Sequence, residues 1–194
     1  GISSAASDVY KRQVFFTLGI LLIILGVAMI VPVVFQLIYD EFDPTFIISG
    51  IITITFGILF FLSNIDHLKS INTQQAFLLT ALSWICIAIF GSLPFFFSKL
   101  NLSVTDSFFE SMSGITTTGA TILNNIENSP KGILIWRAML QWLGGIGVIL
   151  MAITLMPIMN IGGMQLLKIT SYDTSEKILP KSKEVSLRLI TVYL

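Results

Sequence analysis

The residues with the most chemistry to offer lie in one stretch, SVTDSFFESMSGITTTGAT, residues 103–121. The whole chain has a single His and a single Cys, too few for a His-based metal site. What the stretch offers is backbone. Thr116, Thr117 and Thr118 are β-branched and favour extended chain. Gly119 permits positive φ, which lets neighbouring carbonyls turn the same way, and Ala120 follows it. Carbonyl oxygens aimed into a water-filled path can replace the hydration shell of a desolvated cation. The competing reading is a surface loop with a threonine-rich turn, because short Thr/Gly stretches are common. Spacing alone does not separate the two.

Such a loop needs a helix to present it. Ser103 or Thr105 can cap one, and Asp106 in its first turn suits the positive end of the dipole. Phe108, Phe109 and Met112 recur at helical spacing. The run is too short to span a bilayer, so a re-entrant half-helix is expected, ending near Gly114. Extended chain at membrane depth is tolerated only where it is buried in protein or lines an aqueous path.

The rest of the chain supplies the membrane. Of 194 residues, 54% are hydrophobic and 11% charged, with a mean hydropathy of +0.88. A soluble domain carries roughly 25% charge. That excludes an ordinary soluble enzyme, a nucleic-acid binder and a disordered chain. Eleven basic residues balance eleven acidic ones, leaving no net field for nucleic acid. One Cys forbids an intramolecular disulfide. Charge-poor runs predict spanning helices with cores at 15–38, 46–62, 77–97 and 133–156, Pro157 being expected to stop the last. Runs apolar on every side reject a β-barrel. The fold class is all-α and polytopic, with one re-entrant half-helix and an extended filter. Loop charge orients it: Lys69, Lys168, Lys177, Lys181, Lys183 and Arg188 mark cytoplasmic segments. The acidic 40–43 loop and the 98–132 connection, with Asp106, Glu110 and Glu127, lie outside.

FFESMSGITTTGATIL (108–123), KGILIWRAMLQWLGGIGVILMAITLMP (131–157) and GGMQL (162–166) together closely resemble the Trk/Ktr/HKT superfamily of potassium transporters, nearest its TrkH/TrkG branch. The resemblance implies four helix–pore loop–helix repeats around a potassium pore. Residues 77–97, 105–113, 115–121 and 133–156 stand for the outer helix, pore helix, filter and inner helix of the first repeat. It implies that Thr117, Thr118 and Gly119 coordinate potassium through backbone oxygens, with Thr116 and Ala120 flanking. A single filter glycine implies looser potassium-over-sodium discrimination than a two-glycine filter. It further implies a bacterial inner-membrane location, a homodimer of the full-length protein and a cytosolic TrkA-type partner that binds nucleotide. No cofactor is expected on this chain.

The expected organisation is a non-native or disordered segment at 1–13, a helix pair at 14–66, the first repeat at 70–158, a cytoplasmic linker at 159–183 and the start of a second repeat at 184–194. Lacking a second filter, this segment alone is expected not to conduct. Arg137 is expected to pair with Glu110 or Glu127 and hold the loop, and Glu110 to hydrogen-bond the loop backbone. Gly144, Gly145 and Gly147 suggest close helix packing. Trp84, Trp136 and Trp142 suggest packing or interface anchors. Cys86 suggests a small packing residue, and His67 a solvated loop. A KtrB-type sodium-dependent subunit and a non-transporting scaffold are the alternatives. A membrane enzyme is disfavoured, because the helix cores offer no catalytic set beyond Cys86.

Overall fold

The computed structural model describes residues 2–63, 73–123, 126, 129–159 and 191. The expectations placed on His67, Lys69, Glu127, the 160–183 linker with its lysines, and Arg188 lie outside the described residues. The helices are α1 (Ile2–Ala28), α2 (Ile30–Ile38), α3 (Thr45–Leu62), α4 (Thr73–Gly91), α5 (Leu93–Phe97), α6 (Val104–Ile115) and α7 (Lys131–Met159). Among the described residues there is no strand. Four helical stretches are long and apolar enough to cross a membrane: Gln13–Ile38, Thr45–Leu62, Phe77–Phe97 and Lys131–Ile149. The chain is a multi-pass membrane protein. Its outward side chains suit lipid, as with Ile51, which is 61% exposed on α3.

Two of the spans are broken, and proline accounts for both breaks. Pro32 has no N–H to give the carbonyl of Ala28, and its ring crowds that oxygen. α1 ends at Ala28, and the Met29 amide is shared between the Leu25 and Gly26 carbonyls, at 3.3 Å each. Pro94 likewise withholds a bond from Phe90. α4 stops at Gly91, and α5 restarts with the proline in its first turn. Beside the break, the Gly91 carbonyl accepts from Trp136 Nε1 at 2.9 Å.

One expectation is corrected here. Pro157 does not stop the last helix, which continues to Met159. It forfeits the bond to Ile153, and a transmembrane helix tolerates that locally. Residues 2–13, part of the segment expected to be non-native or disordered, form the first turns of α1. Ala5, Ala6, Lys11 and Arg12 favour helix, and no Gly or Pro interrupts before Gly19.

The chain divides into two units, residues 1–144 and 145–194. In the first, α1 packs along α3 and also meets α4, while α4 and α5 meet α6. The α1–α3 crossing is close: a Cβ on Gly19 would lie 2.8 Å from the Gly57 carbonyl oxygen. The core joins Leu22, Leu25 and Met29 of α1 and the turn after it to Phe46, Phe95, Leu123, Ile133, Trp136 and Leu140. The start of α7 is therefore part of the same core as the helix pair. In the second unit, residues 145–159 continue α7.

Candidate functional site

The site is built on α6. Ser103 caps it, its Oγ accepting from the Asp106 amide at 3.1 Å. α6 runs two residues further than the expected 105–113 core, to Ile115, and buries Ser107, Glu110, Ser111, Ser113 and Gly114 on one side. Its C-terminus is a Schellman turn. The Thr118 amide donates to Ser113 O at 3.1 Å and the Thr117 amide to Gly114 O at 2.9 Å. The residue in left-handed conformation at that turn is usually Gly. Here it is Thr117, with φ +56°, a rare position for a β-branched residue. Thr116 has φ −81° and ψ 0°. The expectation of extended backbone is thus corrected for Thr116 and Thr117, which close the helix, while Thr118 lies beyond the turn. The helical hydrogen bonds outweigh the β preference of three threonines. Gly119 has φ +77°, as its type allows.

Thr116, Thr117, Thr118, Gly119 and Ala120 are contiguous and all exposed. Around them lies a polar frame. Glu110 is fully buried, and its Oε1 accepts the Ile122 amide at 2.7 Å and the Thr121 hydroxyl. Its Oε2 meets Arg137 Nε at 3.0 Å, the arginine side chain being 14% exposed. Arg137 Nη2 donates to the carbonyls of Gly119, at 3.0 Å, and Ala120, at 3.1 Å. Ser113 Oγ donates to the same Ala120 carbonyl at 2.6 Å. Thr116 Oγ1 donates to Met112 O at 2.7 Å and lies 2.8 Å from Thr118 Oγ1. From α7, Gly144 presses on the end of α6 so closely that a Cβ there would fall 1.8 Å from Ile115 O.

Burying two charges is costly unless hydrogen bonds satisfy them. This pair is so satisfied, by three partners on Glu110 and two carbonyls on Arg137. The expected roles of both residues, pairing with each other and holding the loop backbone, are those observed. Trp136 packs in the core, the packing alternative of the two expected for it. Ser113 and Thr121 were not singled out from the sequence. A serine bonding a carbonyl seven residues on leaves no periodic signal.

A separate cavity of about 380 Å³ lies between the 40–43 loop and the ends of α5 and α7, lined by Gln36, Asp40, Glu41, Asp43 and Lys99 among others. Asp43 Oδ1 accepts from the Thr45 amide at 3.0 Å and from its hydroxyl, and Oδ2 lies 3.3 Å from Lys99 Nζ. The Thr45 hydroxyl, more than the lysine, holds the Asp43 carboxyl below the usual carboxylate range against the opposing effect of burial. No group of three or more His, Cys, Asp or Glu that could hold a metal ion occurs among the described residues.

Residues 43–194 match TrkH, a cation transport protein family. The chain is 37% identical over 177 residues to the Trk system potassium uptake protein TrkI of Halomonas elongata, covering 91% of this chain and 36% of that protein. It is 39% identical over 157 residues to the Trk system potassium uptake protein TrkH of Escherichia coli K12, covering 80% of this chain and 32% of that protein. The crystal structure of the potassium transporter TrkH from Vibrio parahaemolyticus superposes with a TM-score of 0.77 at 33% identity, covering 94% of this chain and 36% of that one. The chain thus spans about a third of the length of these relatives. On the match over residues 43–194, with a helix-capped, ion-pair-held loop at its centre, this chain belongs to the TrkH family of cation transport proteins.

Proposed function

We propose that this chain forms the extra helix pair and the first helix–pore loop–helix unit of a potassium-uptake protein, and that residues 116–120 are its share of a carbonyl-lined ion filter. The observation that carries this is the loop itself: five exposed residues held from behind by a buried ion pair. Potassium transport is what the printed names of the relatives state of those proteins. The membrane potential would drive uptake, at about 2.3 kcal/mol per charge per 100 mV. Glu110 acts as a holder of the loop and not as an ion lure, because its oxygens are already committed. The fuller assembly is a bacterial inner-membrane homodimer with a cytosolic TrkA-type nucleotide-binding partner. In it the acidic 40–43 loop faces outward.

The test is potassium uptake by the full-length protein in cells lacking their own uptake systems, with Gly119→Ala as the perturbation. A Cβ at Gly119 meets open space, with only Gln141 Nε2 near, at 3.9 Å. The substitution therefore acts through φ +77°. Left-handed backbone costs an ordinary residue about 1–2 kcal/mol, roughly 5–30-fold in an equilibrium. Potassium-over-sodium discrimination is expected to fall by that order while protein remains in the membrane. Unchanged uptake and discrimination would place the loop off the ion path and favour a scaffold.

A further inference from the structure

The carbonyls of the 116–120 loop are not equally free to meet a cation. A carbonyl oxygen has two lone pairs. Both on Ala120 are in use, one by Ser113 Oγ at 2.6 Å and one by Arg137 Nη2 at 3.1 Å. Gly119 gives one to the same Nη2 at 3.0 Å. No hydrogen bond to the carbonyls of Thr116, Thr117 or Thr118 occurs among the described residues. A guanidinium seated on two oxygens also repels a second positive charge from them. Its own charge is balanced at once, since Glu110 Oε2 lies 3.0 Å from Nε. The frame can therefore grip carbonyls without leaving a net positive charge behind the loop.

We infer that Arg137 is the positioning residue that sets which carbonyls of this loop face the ion. It withdraws Ala120 from ligation, pins the Gly119 peptide, and leaves the cation the oxygens of Thr116, Thr117 and Thr118 with one lone pair of Gly119. This rests on the transport reading above and sharpens it by removing Ala120 from the ligand set. The geometry needs arginine in particular. One planar fork reaches the carboxylate through Nε and both carbonyls through Nη2. An ammonium is a single point charge and cannot span those positions.

The experiment uses the full-length protein in proteoliposomes, reading rubidium uptake and its competition by potassium and sodium, with the folded amount measured in parallel. Arg137→Lys keeps the charge balance with Glu110. It is expected to fold at wild-type amounts and to lose about fivefold in potassium-over-sodium discrimination, the effect of one weakened ligand interaction. The double variant Glu110→Gln with Arg137→Gln removes both charges and leaves neither buried alone. It is expected to keep the folded amount near wild type but not the discrimination. Ser113→Ala leaves the ion pair intact and frees one lone pair of Ala120, and a smaller loss in the same direction is expected.

Wild-type discrimination in Arg137→Lys would overturn the inference. So would full recovery of discrimination in the double variant, which would reduce Arg137 to charge balance. Should Arg137→Lys fail to accumulate, Ser113→Ala decides, and an unchanged ratio there is equally fatal. A wild-type protein with no potassium-selective uptake would instead defeat the transport reading, a result distinct from all of these.

Discussion

Gly144 is where one methyl group should do the most damage. It sits on α7 against the end of α6. An added Cβ would lie 1.8 Å from Ile115 O, 2.7 Å from Ile115 C and 3.1 Å from its Cα. All three are backbone atoms, so no rotamer change can make room. Ordinary contact begins near 3.4 Å, and α7 and the end of α6 must separate by roughly 1.5 Å. Overpacking in a dense interior costs about 1–3 kcal/mol where side chains can give way. Here they cannot, so the upper end applies. The gain in helix propensity of about 1 kcal/mol offsets part of it, leaving a net loss near 2 kcal/mol. Gly50→Ala is the control, because its Cβ would meet nothing closer than the Gly26 carbonyl oxygen at 3.4 Å. It should be neutral or slightly stabilising. Thermal unfolding of both variants of the full-length protein in detergent, with potassium uptake in cells, makes the comparison. If Gly144→Ala unfolds at the wild-type temperature and supports wild-type uptake, the close seating of α7 on the end of α6 is wrong.

Three further outcomes follow from the same geometry. Thr117→Gly should raise thermal stability by about 1 kcal/mol, because glycine relieves a β-branched residue at φ +56°, and the unfolding midpoint reads it directly. Trp136→Phe should cost about 1–3 kcal/mol by leaving the buried Gly91 carbonyl without its donor, again seen as a lower midpoint. The Asp43 carboxyl has its pKa lowered, first by the Thr45 hydroxyl. Its contribution to stability is therefore complete above pH ~4 and is lost as the pH falls through the depressed native value. An acid titration of stability should lose part of its slope in Asp43→Asn, and an identical acid limb in the two proteins would contradict the assignment.

Much of this fold is legible in residue order because lipid simplifies the problem. A span must be long, apolar and helical, so the limits of α3, and those of α2 and α5 at the ends of their spans, follow from where charge resumes. The breaks inside the spans were not read, although Pro32 and Pro94 announce them, because each interruption lasts a single residue and the apolar run hides it. The roles of Glu110 and Arg137 were legible for a related reason. A carboxylate and a guanidinium within apolar sequence need partners, and the loop between them is rich in backbone that needs partners too.

The conformation of the threonine run was not legible, and the cause lies in competition between local preference and a cap. Three β-branched residues favour strand by propensity. At the end of α6, however, the last carbonyls must find donors, and the amides of Thr117 and Thr118 are the ones within reach. Taking Gly114 O and Ser113 O forces Thr117 into the left-handed region whatever its side chain prefers. The next glycine, Gly119, comes two residues too late to serve as the usual cap and instead turns the chain toward Arg137. Glycine at 117 would be the easier cap, yet the strain persists, which requires a surrounding structure that over-determines the loop. Gly144 on one side and the Glu110–Arg137 pair on the other supply that constraint. The same contacts that make the loop costly to form are those that fix where its carbonyls point.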